Sequence, residues 1–247
     1  MRFIYAVENS DELQEYQEFA EKTKPILTEY LAFLKKNYSV VNLPRAIVLT
    51  NLETATELIS DIPIPAYTND HRTIFCPTRE IWKAIYLKQL DGLETCETVQ
   101  TICHYYNTKL SANHILQILG HEFVHHSEFF PETDFDCGIW FEEGMCEYIS
   151  RKYFLTDQEF DEAADNNKLL VDLLHDRFGQ HSLEAFGSSA YLRDYSGIFF
   201  EYWRSFLAVK KIVEKHDGDI IKVFRSYQKW LSKGCTVPLS TWFHVSV

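Results

Sequence analysis

Apolar residues recur at steps of three and four along most of the chain, and that helical period sets its expected organisation. From Ser10 to Tyr38, with Leu13, Tyr16, Phe19 and Ala20 on one stripe, the pattern predicts a helix capped by Ser10 and carrying Glu12 and Glu15 in its first turns. Pro25 predicts a kink or a break there. Arg45 to Thr50 (RAIVLT) reads as a strand, followed by a short helical stretch through Glu57 and Leu58. IPIPAY then reads as a loop and RTIFCPT as a second strand, placed at a sheet edge because Pro77 has no N–H to donate. From Ile81 onward the pattern predicts helices over 81–90, 94–106, 111–129, 139–154, 157–178, 189–216 and 217–232, with Gly92, Gly179 and Gly218 near the breaks. Strands early and helices after give an α+β plan. No repeat or flexible linker divides the 247 residues. They read as one domain with an N-terminal α/β subdomain (about 1–130) and a mainly helical C-terminal subdomain (about 131–247).

Composition narrows the function. At 46% hydrophobic and 15% aromatic residues the chain has the apolar surface for a real core. Its 24 Lys plus Arg against 36 Asp plus Glu leave a formal charge of −12, the wrong sign for coating a polyanion, so nucleic acid is excluded as a default partner. The opening MRFIYAVENSDEL has only five consecutive apolar residues before Glu8, too few for a secretory signal. No uncharged apolar run approaches the roughly 18 residues of a membrane span. The expectation is a soluble, cytoplasmic protein with no membrane partner. Six cysteines with no CxxC pair read as free thiols. Nothing indicates an oligomeric state.

The chemistry begins in LGHEFVHHSEFF. His121 and His125 stand four apart in a helical pattern, so both imidazoles project from one face, which suits a single metal ion. Glu122 lies about 100° round the helix, placed for acid–base work on a water rather than for coordination. A chance HExxH is expected in roughly 4% of shuffled chains of this composition, so the motif needs a third ligand to carry weight. IWFEEGMCEYISRKYF offers Glu142, Glu143 and Glu147 on a further helix. Adjacent glutamates diverge, whereas Glu143 and Glu147 share a face, so Glu143 is the expected ligand and Glu147 the acceptor of a ligand histidine's far N–H. Asp134 and Asp136, in the loop before that helix, are the alternatives.

HEFVH, with 17 residues between His125 and the glutamate of WFEEG that precedes Gly144, resembles the gluzincin metallopeptidases, the thermolysin and aminopeptidase N families and their small relatives. The gap is one residue shorter than in aminopeptidase N relatives. A metzincin is excluded, because Glu128 and Pro131 stand where that motif needs glycine and histidine. The resemblance implies a zincin-like fold, Zn2+ held by His121, His125 and Glu143, and a peptide or protein substrate. SSAYLRDYSGIFFEYW is similar to the segment that supplies a tyrosine hydroxyl to the tetrahedral intermediate, which implies that role for Tyr191, with Tyr195, His175 and His181 as alternatives. The motif with which aminopeptidases hold a free N-terminus is missing, so endopeptidase action is the expectation. An edge strand before the metal helix would pair with an extended substrate backbone. The acidic residues Glu128, Glu132, Asp134 and Asp136 would favour a basic peptide.

The expected reaction is hydrolysis by a zinc-activated water, with Glu122 as general base. The alternative is a non-catalytic gluzincin-like module that binds a protein partner. His126 points to another face than His125 and reads as a neighbouring or surface residue. Trp203, Trp230 and Trp242 read as core.

Overall fold

The computed structural model describes residues 1–59, 63–130, 138–187 and 195–247. Helix α1 (Ser10–Tyr38) buries Tyr16, Ala20, Thr23, Leu27, Tyr30, Leu34 and Tyr38, a stripe at steps of three and four that lays one face on a core. Its cap is Asn9 rather than Ser10: the Asn9 Oδ1 accepts the N–H groups of Asp11 at 3.1 Å and Glu12 at 2.9 Å. The helix runs unbroken through Pro25, which lies on its exposed side.

The sheet has four strands in the order β1-β2-β4-β3: β1 (Arg2–Ala6), β2 (Ala46–Thr50), β3 (Ala66–Thr68) and β4 (Arg72–Phe75). Strand β1, which the pattern left unassigned, pairs in parallel with β2, and α1 forms the crossover between them. The expected edge position of RTIF is wrong. Strand β4 is interior, parallel to β2 on one side and antiparallel to β3 on the other, and among the described residues the edges are β1 and the three-residue β3. Pro77 lies beyond the end of β4, so it never has to donate to the ladder.

After the sheet come α2 (Arg79–Lys88), α3 (Glu97–Thr108), α4 (Ala112–Val124), α5 (Ile139–Phe154), α6 (Asp157–Phe178), α7 (Tyr195–Lys215), α8 (Ile220–Ser232) and α9 (Leu239–Phe243). The chain is α+β, with its sheet in the N-terminal part and helices thereafter. Helix α4 stops five residues short of the expected 129, because His125 is already its C-cap and the chain turns there. The part of the expected 189–216 helix before Tyr195 lies outside the described residues.

Two compact units divide the chain. Met1–Glu128 with Ile149–Glu159 holds the sheet, α1 to α4 and the end of α5 from Ile149, around a core that includes Tyr30, Ile47, Leu49, Phe75, Trp82 and Phe123. Phe129–Tyr148 with Phe160–Val247 is helical. There Phe141 stacks on Tyr227 at 4.4 Å and lies parallel to Phe243 at 5.4 Å, and Phe160 meets Phe206 edge-on. No helix among the described residues is long and apolar enough to cross a membrane.

Candidate functional site

Helix α4 starts from a capping box in which histidine replaces the usual glutamate. The Ser111 side chain accepts the His114 N–H, and His114 Nδ1 accepts the Ser111 N–H at 3.2 Å. That accepting role leaves the His114 proton on Nε2, 3.2 Å from the Tyr105 hydroxyl. The S-x-x-H spacing ahead of an apolar run is the mark this box leaves in the sequence.

The helix then sinks into the sheet-bearing unit. Tyr30 donates to the Gly120 carbonyl at 3.1 Å, and Gln117 donates to Ser150 of α5 at 3.2 Å. A Cβ on Gly120 would stand 2.4 Å from the Phe154 ring and 3.1 Å from that of Tyr30. Glycine therefore admits both aromatic rings against the backbone, one residue before His121.

At the end of α4 the two imidazoles converge. His121 is buried, His125 half-buried, and their Nε2 atoms are 3.1 Å apart with ring centroids at 4.9 Å. Two nitrogens bound to a tetrahedral zinc at about 2.0–2.1 Å are separated by about 3.3 Å, so the pair has the spacing of one edge of that polyhedron. Glu122, 6% exposed, occupies the adjacent direction. A carboxylate so buried is retained only with partners or a job.

The turn after α4 is tied down twice. Ser127 donates to the Tyr38 carbonyl at 2.6 Å and bridges Val40, joining the turn to the end of α1. His126 is half-buried, with Nε2 2.9 Å from Thr68 Oγ1 of β3. Burial, helped by the neighbouring His125, pushes its pKa down to about 4 against the opposing pull of Asp70 and the Asn42 backbone, so the ring is neutral at physiological pH.

Helix α5 carries the acidic candidates. Glu143 is 4% exposed, whereas Glu142 and Glu147 are half-buried, so of the adjacent pair it is Glu143 that the fold takes out of water. A Cβ on Gly144 would stand 2.4 Å from the Ser205 carbonyl oxygen and 2.6 Å from Val209 of α7. Gly144 thus has a packing reason of its own.

In the helical unit, His181 is bound through Nε2 to Glu201, which is fully buried. Arg204 reaches Glu201 at 3.4 Å and the His181 carbonyl at 3.0 Å. His175 is exposed and 3.9 Å from Asp176. Tyr195 opens α7, stacked on Phe199. Tyr191, Glu132, Asp134 and Asp136 lie outside the described residues. Among the described cysteines, Cys76, Cys96 and Cys103 are free thiols.

No protein-family model, curated protein or solved structure matches this chain.

Proposed function

We propose that the chain is a zinc-dependent metallopeptidase of gluzincin type with a zincin-like fold, an endopeptidase that works in the cytoplasm on extended peptides. The observation that carries this reading is the 3.1 Å separation of the His121 and His125 Nε2 atoms on one face of α4, with buried Glu122 one residue along. His121, His125 and Glu143 would hold Zn2+, and Glu147 would take the far N–H of a ligand histidine. The ion, when bound, acts as a Lewis acid that makes water a nucleophile near neutral pH and polarises the scissile carbonyl. Glu122 accepts the proton of the attacking water and returns it to the leaving amine. Tyr191 donates a hydroxyl hydrogen bond to the developing oxyanion; His181, oriented by Glu201, is the alternative donor. The edge of β3, unpaired by any described strand, supplies backbone groups to the substrate.

Cys146, on the same helix as Glu143, competes with it for the third position, since thiolate suits zinc. Zinc analysis of Glu143→Gln and Cys146→Ser separates the two: the variant that loses the ion names the ligand.

The test of the whole reading is metal content followed by chelator-reversible cleavage of a mixed peptide library. Glu122→Gln is expected to keep zinc and lose hydrolysis by about 10² to 10⁴. Zinc at one equivalent without any cleavage points instead to the non-catalytic binding module. Failure to take up zinc after supplementation refutes both.

A further inference from the structure

We propose that His126 is a positioning residue which, through Thr68, fixes the edge of β3 that no described strand pairs with, for an extended substrate backbone; this rests on the peptidase reading above. The register shows which groups that edge presents. Tyr67 faces Ile74, while Cys76 N–H donates to the Pro65 carbonyl at 2.9 Å and Asn69 N–H to the Arg72 carbonyl at 3.0 Å. Residues 65, 67 and 69 therefore turn their backbone groups inward to β4. The N–H and C=O of Ala66 and Thr68 point the other way, off the sheet, two residues apart. That is the repeat an added strand reads.

Three residues paired on one side make a weak ladder, and short edge segments of this kind open at little cost. The side chain of Thr68 supplies what the ladder lacks. Its Oγ1 is 3.0 Å from Thr73 Oγ1, on fully buried Thr73 of β4, and 2.9 Å from His126 Nε2. His126 Nε2 and Thr68 Oγ1 share one hydrogen bond whichever of the two donates. The relay runs from Thr73 through Thr68 to His126, and the next residue back along the chain is His125. One turn of backbone, held by Ser127 N–H to the Val124 carbonyl at 2.9 Å, thus links the substrate edge to the metal face of α4.

Thr68→Val removes the hydroxyl at constant volume, His126→Ala removes the ring, and Thr68→Ser keeps the bond. In the first two, KM for a six-residue peptide is expected to rise about 5- to 10-fold, the worth of one hydrogen bond, with kcat and zinc content held within about twofold. Thr68→Ser should restore the parent value, and the Val and Ala changes together should cost no more than either alone. A fall in kcat at unchanged KM, or full additivity, overturns the proposal. Amide hydrogen exchange at Tyr67 and Asn69 is the second readout: about 10-fold faster exchange in both variants supports the clamp, and unchanged exchange refutes it. If the parent protein cleaves nothing, the peptidase reading has failed, and exchange at these amides still decides whether His126 holds the strand.

Discussion

Glu201 has no surface in contact with water, although it lies in the run GIFFEYWRSF among Phe199, Phe200 and Trp203. A carboxylate in that setting needs partners, and Arg204, one turn on, and His181 are two of them. Burial pulls the Arg204 guanidinium down and Glu201 pulls it back up, so the pair is mutually dependent. Removing one partner leaves the other stranded. Arg204→Met is therefore expected to cost about 3–5 kcal/mol in urea unfolding, whereas mutating exposed Lys222, whose partner Asp219 is also accessible, should cost less than about 1 kcal/mol. Equal effects would mean that the buried group is not ionised. His181 was visible in the sequence as a candidate donor, but Glu201 was not. A hydrophobic period says which face is buried, and nothing about which charged residue will be carried in with it.

Elements with a strong local period were legible almost to the residue. Helices α5 and α6 occupy the predicted 139–154 and 157–178, since their stripes and their flanking breaks agree. Strand β1 was missed because it is specified by β2, some forty residues away, and not by its own five residues. The edge was misplaced for the same reason, as strand order is a property of pairing and not of composition. The candidate site divides along that line. Spacing alone put His121, Glu122 and His125 on one helix end, while the partnership of His126 with Thr68 joins two segments 58 residues apart and leaves no local mark. The glycines test how closely the elements approach. Gly144 faces the Ser205 backbone, which cannot yield, so Gly144→Ala should destabilise by about 2–3 kcal/mol despite alanine's better helix propensity. Gly120 faces the rims of the Phe154 and Tyr30 rings, which can turn, and Gly120→Ala should cost about 1 kcal/mol or less. Thermal melts of the two variants check the order, and a larger loss at Gly120 would show that the aromatic contact is the stiffer one.

Stability of the whole chain depends on pH through groups other than the histidines. Burial pushes the Cys76 thiol up to about 11 and the neighbouring Tyr16 phenol up to about 12, in each case against hydrogen bonds from Thr78 that favour the charged form. Both folded values lie above those of the unfolded chain. Between the two the unfolded state has released a proton that the folded state still holds, so stability is complete below about pH 9 and is lost as pH rises through the folded values. For Cys76 alone the loss reaches about 2 kcal/mol near pH 11. The expected result is a melting temperature that is flat from pH 7 to 8.5 and falls steadily from pH 9 to 11. Cys76→Ala, although weaker at neutral pH from the lost packing, should show a shallower fall over the same interval. The same burial protects the thiol. In the native protein iodoacetamide at pH 8 should label exposed Cys96 well before Cys76, and labelling at comparable rates would mean that the Cys76 site opens far more readily than its burial implies.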